Sequence, residues 1–508
     1  VTLRHHFVLP DRPYTSYAEY LEHTGGSAVL TAREMGAEAI LDEVRRSGLR
    51  GRGGSGFPTA VKWSTVYGHP SSTRFVVCNA AEGEPGTFKD RMLIRRNPYA
   101  TLEGMLIAAH VVGARDLYIA TKASFARELE RLRGAIAEME EAGLLAYHTI
   151  HVVSGPEEYL FGEEKALLEV IEGNEPLPRE AHYPPYEKGL FATQASANPA
   201  LVNNVETFAH VPSIVRSGGD SFGDVGTHDT PGTLLFTVSG DITRPGVYEA
   251  PAGILLSELL HEVAGGPRPG RRIKAVLAGV SSALITEDKL DTPADFASLA
   301  LIGSGLGSAG FIVLDDEVNI PRVAQSLARF LYVESCNQCT ACKYGLGMAS
   351  SALDELFVPS LATPDDIERA LYGARHAPQG NRCYLPVQGS IVLPSLIDRF
   401  RDEFDAELRS TGARKPRYAL PKLLDFDEER GVFLVDDSQA RKRPDWTYDD
   451  ETPNSQPRLS ARHSVPNAVR LAPDVRERLA TIPLADGKSL ERLVNDAVRR
   501  YLDAEESP

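Results

Sequence analysis

The sequence predicts an α/β protein made of an alternating strand and helix region, a small α+β unit and an all-α unit that holds most of the cysteines. Three observations predict it. Short apolar runs such as Phe75-Val76-Val77 recur between helix-length segments from residue 37 to 165, the pattern of a sheet covered by helices. From Leu234 the texture changes to strands broken by turns such as Ser239-Gly240-Asp241. Past Val318 the periodicity is helical, and Cys336, Cys339, Cys342 and Cys383 all lie there.

Residues 37–47 are amphipathic, with Ile40, Leu41 and Val44 on one face. Next, Gly51, Gly53, Gly54 and Gly56 fall within six positions ahead of a helix start. Such a loop lets backbone N–H groups approach a flat or anionic ligand, and the helix N-terminus behind it favours negative charge. A solvated linker is the alternative, but Phe57, Lys62 and Trp63 beside the glycines speak for a ligand. Residues 74–79 read as a buried strand that delivers Asn79, Glu82 and Glu84 to its end, where open α/β sheets bind ligands. The two carboxylates suit ribose hydroxyls or an amide; taken alone they are turn acids. Cys78, near the strand's end, reads as a small packing residue.

A helix at 102–112, a strand at 117–121, a helix at 124–142 and a strand at 149–153 continue the alternation. Tyr159, Gly162, Glu163 and Glu164 then open another helix, and the prolines from 176 to 185 exclude sheet interior. The second unit has strands at 234–238, 245–249, 273–278 and 311–314 around a helix at 255–263. In the third, Val323, Leu327 and Leu331 share a helix face. Residues 441–462, rich in proline and charge with few aliphatics, read as a linker.

The cysteines carry the most specific chemistry. A C-x-x-C-x-x-C run with one distant partner supplies four thiolates from two segments, and soft ligands select an iron–sulfur cluster or zinc. Structural zinc usually takes two separated pairs, whereas three-residue steps wrap three corners of a cubane, so the spacing favours a 4Fe-4S cluster. The net charge of −16 and pI near 5.4 argue against wholesale nucleic-acid binding and suit a cytoplasmic enzyme. With no run of eighteen apolar residues and no apolar signal core before Pro10, neither membrane insertion nor export is expected.

Four stretches, Gly51-Arg-Gly-Gly-Ser-Gly-Phe-Pro-Thr-Ala-Val-Lys-Trp63, Asn79-Ala-Ala-Glu-Gly-Glu-Pro-Gly-Thr-Phe-Lys-Asp-Arg91, Gly162-Glu-Glu and Val202-Asn-Asn-Val-Glu-Thr207, occur in order with the cysteine set. Over residues 45–415 the chain thereby resembles the NADH-oxidising flavoprotein subunit of respiratory complex I, a module shared with NAD-linked hydrogenases and formate dehydrogenases. The resemblance implies FMN, with its phosphate and ribityl chain on Gly51, Gly53, Gly54, Lys62, Asn79, Asn203, Asn204 and Thr207. It places Tyr159, Gly162, Glu163 and Glu164 close to flavin and nicotinamide, Phe57 stacked on the NAD(H) and Glu84 on its ribose, and adds Glu82 and Tyr186 to the cofactor-binding set. Glu84 and Glu164 are read as positioning the reactants, with no general base required. Cys336, Cys339, Cys342 and Cys383 are the implied cluster ligands.

The implied organisation is a Rossmann-like FMN and NADH domain at 1–230, a β-grasp domain of the soluble ligand-binding type at 231–317 and a helical-bundle 4Fe-4S domain at 318–437. A linker at 438–463 and a tail at 464–508 that resembles a ribbon-helix-helix unit follow. Departures from the family pattern are Ala81 in place of an aspartate, Tyr183 in place of a basic residue, Thr65 in place of a second stacking aromatic and Lys165 in place of a small residue. The expected function is NADH oxidation through FMN and the cluster to a protein acceptor: a thioredoxin-like 2Fe-2S subunit, a ferredoxin or a larger redox complex. The rival reading is a redox-responsive DNA-binding regulator. Residues 464–508 hold seven Lys and Arg against eight Asp and Glu, too weak a positive footprint for phosphate, so homodimerisation or docking is the preferred role of the tail.

Overall fold

The computed structural model describes residues 7–180, 183–359, 361–410 and 415–448. Strands β1 (Phe75–Ala80), β2 (Asp116–Lys122), β3 (Thr149–Gly155) and β4 (Ala200–Asn204) form a parallel sheet in the order β3-β2-β1-β4. Side chains of a strand alternate between faces. Val76, Cys78 and Ala80 of β1 therefore enter one core, with the helix Pro98–Val112, while Phe75 and Val77 enter another, with Leu167 and Leu168. Burial on both faces explains the unbroken apolar run, and Cys78 is fully buried as expected of a packing residue. Because β4 joins β1 on the side opposite β2, a crevice opens at the carboxyl ends of β1 and β4, where such sheets bind ligands.

A second sheet, with β5 (Thr233–Gly240), β6 (Gly246–Pro251), β7 (Ile273–Ala278), β8 (Ile285–Thr286) and β9 (Gly310–Asp315), runs in the order β6-β5-β9-β7-β8. Only the β5 and β9 pair is parallel. The buried Glu249 of β6 accepts backbone N–H bonds from Phe7 at 2.7 Å, Val8 at 3.1 Å and Leu9 at 2.8 Å, which ties the start of the described chain to this sheet.

Among the described residues five α-helices follow: Ile320–Glu334, Thr340–Glu355, Pro364–His376, Leu385–Arg399 and Arg401–Arg409. The second and third meet backbone to backbone, since a Cβ on Gly345 would lie 2.6 Å from the Gly373 carbonyl and one on Gly373 2.5 Å from that of Gly345. Among the described residues no helix is long and apolar enough to cross a membrane.

Two expectations are corrected by the structure. The all-α unit does not extend to residue 437, because β10 (Leu423–Asp427) and β11 (Val432–Val435) form an antiparallel hairpin. Leu423 and Phe426 belong to the core of the first sheet, and Phe433 lies 5.5 Å from Phe88, ring centre to ring centre. The expected linker is also folded as far as Tyr448: Lys442 and Trp446 are fully buried. A polar composition concealed this, because Lys442 enters the interior paired with Glu334 at 2.9 Å. Residues 449–463 and the ribbon-helix-helix-like tail at 464–508 lie outside the described residues.

A candidate two-centre redox site

The glycine loop is built as a closed turn ahead of the helix Thr59–Gly68. Gly51 N–H donates to Phe57 O at 2.8 Å, Arg52 N–H to Thr207 Oγ1 at 2.8 Å, and Arg52 Nη2 to Pro231 O at 2.6 Å. Gly54 has φ +124, a conformation closed to most side chains, and a Cβ on Gly53 would stand 3.2 Å from that of Asn204. These glycines form one wall of a cavity of about 830 Å³. That size lies in the upper part of the range of roughly 300–1,000 Å³ for small-molecule sites.

All the residues expected around the flavin and dinucleotide border this one cavity: Gly51, Gly53, Gly54, Phe57, Lys62, Asn79, Glu82, Glu84, Tyr159, Gly162, Glu163, Glu164, Tyr186, Asn203, Asn204 and Thr207. The rings of Phe57 and Tyr186 face each other 6.3 Å apart at 25°, and Lys62 stands 5.9 Å from the Phe57 ring centre. Lys62 Nζ is held by Glu164 at 2.5 Å and by Val202 O at 2.9 Å. Asn79 donates to Gly162 O at 2.8 Å, joining the end of β1 to the segment that precedes the helix Glu164–Ile171.

The acids have more specific surroundings than the sequence disclosed. Glu82 accepts from Asp90 N–H at 3.0 Å and Arg91 Nε at 3.1 Å, so it also braces the helix Lys89–Arg96. Glu84 accepts from Tyr159 Oη and, at 2.8 Å, from Val280 N–H, while Gln388 Nε2 donates to Tyr159 Oη at 2.8 Å. Burial raises the Glu84 carboxyl above its ordinary range, the Tyr159 hydrogen bond opposing it.

Glu163 caps its helix by accepting from Lys165 N–H at 3.0 Å and Ala166 N–H at 2.9 Å, yet burial lifts its carboxyl to about 7 from the usual 4.5. A raised acid favours the folded state most below the unfolded value, and that contribution disappears as pH rises through about 7. Glu163→Gln is therefore expected to stabilise the cofactor-free protein by about 1–2 kcal/mol above roughly pH 8, the side chain being partly exposed. Thermal unfolding across this range should show the gain vanish towards pH 4.5, the ordinary carboxyl value.

Thr59, Lys89, Asp90 and Gln388 also border the cavity, although the sequence did not single them out. The buried Thr59 Oγ1 has no hydrogen-bond partner among the described residues. A hydroxyl so placed at the start of a helix suits an anionic ligand. Lys89 and Asp90 lie inside the Asn79 to Arg91 stretch that carries the resemblance, which assigns neither a role of its own.

A smaller neighbouring cavity is bordered by Cys336, Cys339, Cys342 and Cys383 together with Leu160, Ser335 and Leu385. Asn337, at φ +63, turns the chain between Cys336 and Cys339, and Cys339 stands immediately before the helix Thr340–Glu355. Burial pushes the Cys342 thiol up to about 11 and raises Cys336 and Cys383 as well. Buried thiols of this kind give up their protons to a bound cation, which is the chemistry a metal cluster requires. Among the described residues no three His, Cys, Asp or Glu side chains form a site for a single metal ion. The four cysteines border one space all the same, and four thiolates from two segments are the donor set of a 4Fe-4S cluster. The flavin also fits, by the glycine wall and the unpartnered Thr59 hydroxyl.

Residues 44–213 match the family model of the Nuo51 FMN-binding domain, 322–407 that of the NADH-ubiquinone oxidoreductase-F iron-sulfur binding region, and 235–283 that of the SLBB domain. Fold and site together define an iron–sulfur flavoprotein, with FMN and a 4Fe-4S cluster as its cofactors. The chain is 38% identical over 380 residues to the F 2 subunit of NADH-quinone oxidoreductase from Rhizobium meliloti, a match covering 73% of this chain and 89% of that one. It is 36% identical to the F subunit of NADH-quinone oxidoreductase from Aquifex aeolicus, over 77% and 91% of the two chains. A crystal structure of NAD+-reducing [NiFe]-hydrogenase in the air-oxidized state is similar with a TM-score of 0.70 and 32% identity, over 80% of this chain and 69% of that one. The chain belongs to the family of NADH-quinone oxidoreductase F subunits.

Proposed function

We propose that this chain oxidises NADH and passes the electrons singly, through its two cofactors, to a protein acceptor. The observation that carries the reading is the shared wall between the two cavities: Leu160, Cys383 and Leu385 border both. When bound, FMN accepts a hydride and the cluster takes electrons one at a time. Cys336, Cys339, Cys342 and Cys383 would hold the cluster. The glycine loop, Asn79, Asn203, Asn204 and Thr207 would hold the flavin. Phe57 and Tyr186 orient the dinucleotide by their paired faces, Glu84 receives its ribose hydroxyls, and Lys62, held by Glu164, directs a positive charge into the same space. A 2′-phosphate would be repelled by Glu84, which favours NADH over NADPH.

The acceptor is a second redox protein, since Cys78, the one cysteine outside the set, is buried in the first core. A thioredoxin-like 2Fe-2S subunit, a ferredoxin or a larger redox complex fits that requirement. In this reading the parallel sheet is the Rossmann-like FMN unit, β5 to β9 a β-grasp spacer and the helices from Ile320 the cluster unit. The tail at 464–508 then serves docking or dimerisation. Anaerobic mixing with NADH should bleach the bound flavin, and Phe57→Ala should weaken NADH binding by about 5- to 30-fold with FMN content unchanged. A flavin that stays oxidised at every NADH concentration would overturn the reading.

A further inference from the structure

Residues 437–448 cross the end of the helix Ile320–Glu334, whose last residue stands two positions before Cys336. Arg329 Nη2 donates to Ala440 O at 2.7 Å and to Lys442 O at 3.1 Å, and the buried Trp446 donates through Nε1 to Val333 O at 2.7 Å. From the cysteine side, Lys343 Nζ donates to Pro444 O at 2.7 Å and to Ser335 O at 2.9 Å. The segment is thus fastened on both sides of the loop that carries Cys336.

Its centre is the carboxylate of Glu334, which is fully buried. Lys442 Nζ reaches both of its oxygens, at 3.0 and 2.9 Å, and Gln439 Nε2 donates to Oε1 at 2.9 Å. Lys422 holds Gln439 in place by donating to its Oε1 at 2.9 Å. Among the described residues the remaining donor to Glu334 is the backbone N–H of Tyr159, at 3.1 Å to Oε2. Tyr159 lies on the cavity wall, bonded through its hydroxyl to Glu84 and Gln388, and its ring meets Phe330 of the same helix edge-on at 5.3 Å.

We propose that the Lys442–Glu334 pair is a positioning unit for NADH oxidation, fixing the Tyr159 wall of the dinucleotide cavity to the loop that carries Cys336. The inference rests on the functional reading above. Without Lys442 the carboxylate keeps two neutral donors but no cation bonded to it, since Lys422, the next cation, is engaged by Asp436 at 3.2 Å and by Gln439, so the carboxylate is held less firmly and the anchor of Tyr159 loosens. A negative charge left with only the more distant Lys422 and Lys343 to balance it beside the cysteine loop also opposes the arrival of an electron there.

The test uses the full chain, prepared anaerobically with both cofactors, and reads steady-state kinetics with an artificial acceptor together with the cluster potential from an EPR-monitored titration. Lys442→Met should raise the KM for NADH about 5- to 10-fold with kcat changed less than about twofold, and should move the cluster to a more negative potential. Lys442→Arg should restore both. Combining Lys442→Met with Glu334→Gln removes both charges but leaves an amide oxygen for the Tyr159 N–H, so KM and potential should return close to wild type. Combining it with Glu334→Ala is equally neutral but lacks that acceptor, so KM should stay raised while the potential returns.

Unchanged KM and potential in Lys442→Met would overturn the proposal. Equal KM values in the two double variants would also overturn it, and this comparison stands even if the single variant does not fold. A wild-type protein that ignores NADH would instead remove the functional reading, leaving the potential series to decide whether the pair acts on the cluster loop.

Discussion

Cys383→Ser is expected to abolish electron delivery to a protein acceptor while NADH still bleaches the flavin. Cys383 is the one cysteine that borders both cavities, and it comes from a different segment than the other three. Asn381 Nδ2 fixes its backbone by donating to Cys383 O at 2.8 Å, and Lys165 does the same one residue earlier by donating to Arg382 O. The loop is therefore preset, and a hydroxyl in place of the thiol puts a hard, poorly ionised ligand at an iron corner. Loss of an outer-shell partner typically costs a metal site 10–100-fold, so loss of a ligand should reduce acceptor reduction by about 100-fold or more. Iron content and acceptor reduction should fall together, while the flavin, held by the glycine wall and the end of β4, stays bound. Loss of flavin in this variant would show that the two centres fold as one unit.

Lys89→Met should destabilise the protein by about 3–5 kcal/mol, the usual cost of stripping one partner from a buried ion cluster. Its ammonium, 1% exposed, lies 2.7 Å from Asp90, 2.9 Å from Glu206 and 3.1 Å from Asn204 Oδ1. Burial alone would lower the lysine and raise Glu206; the attraction of Asp90 and then of Glu206 holds the lysine above its usual range, and the lysine in turn holds Glu206 down to about 2. Arg91 already serves Glu82, Arg95 serves Glu128 and Asp425, and Arg96 serves Glu428, so no other cation on this helix is released to replace Lys89. A carboxyl held low by its partner contributes stability above its unfolded value and loses it as pH falls. The gap between variant and wild type should accordingly be widest near neutrality and shrink in acid, which urea unfolding at several pH values would reveal. Flavin retention should fall too, because Lys89 orients the Asn204 side chain that lines the cavity.

The first sheet is legible in the sequence because Phe75, Val76 and Val77 face two cores at once and leave no polar position to blur the pattern. The glycine loop is legible because Gly54 sits at φ +124, a conformation closed to most side chains, and a Cβ on Gly53 would crowd that of Asn204 at 3.2 Å. The cysteines announce themselves by spacing. What is hidden has one physical cause: charges that are buried in pairs look the same in sequence as charges on a surface. Lys89, Asp90 and Arg91 are all buried, as are Glu334 and Lys442, 108 residues apart, and neither member of that distant pair predicts the other. The hairpin β10–β11 escaped for a related reason. Val432, Leu434 and Val435 are partly exposed, so the alternation that would mark a strand is weak.

That hairpin bears on how the chain is made. Arg91 Nη1 donates to Leu423 O across 332 residues, and Gly86 N–H donates to Pro421 O at 2.7 Å. A polypeptide emerging from the ribosome thus has its first sheet complete by Asn204 but lacks the lid over Phe88 until most of the remainder has been translated. For that interval an aromatic face is open to chaperones and to neighbouring nascent chains. Gene fragments that stop short of residue 421 should give aggregation-prone protein, however well their own strands pair.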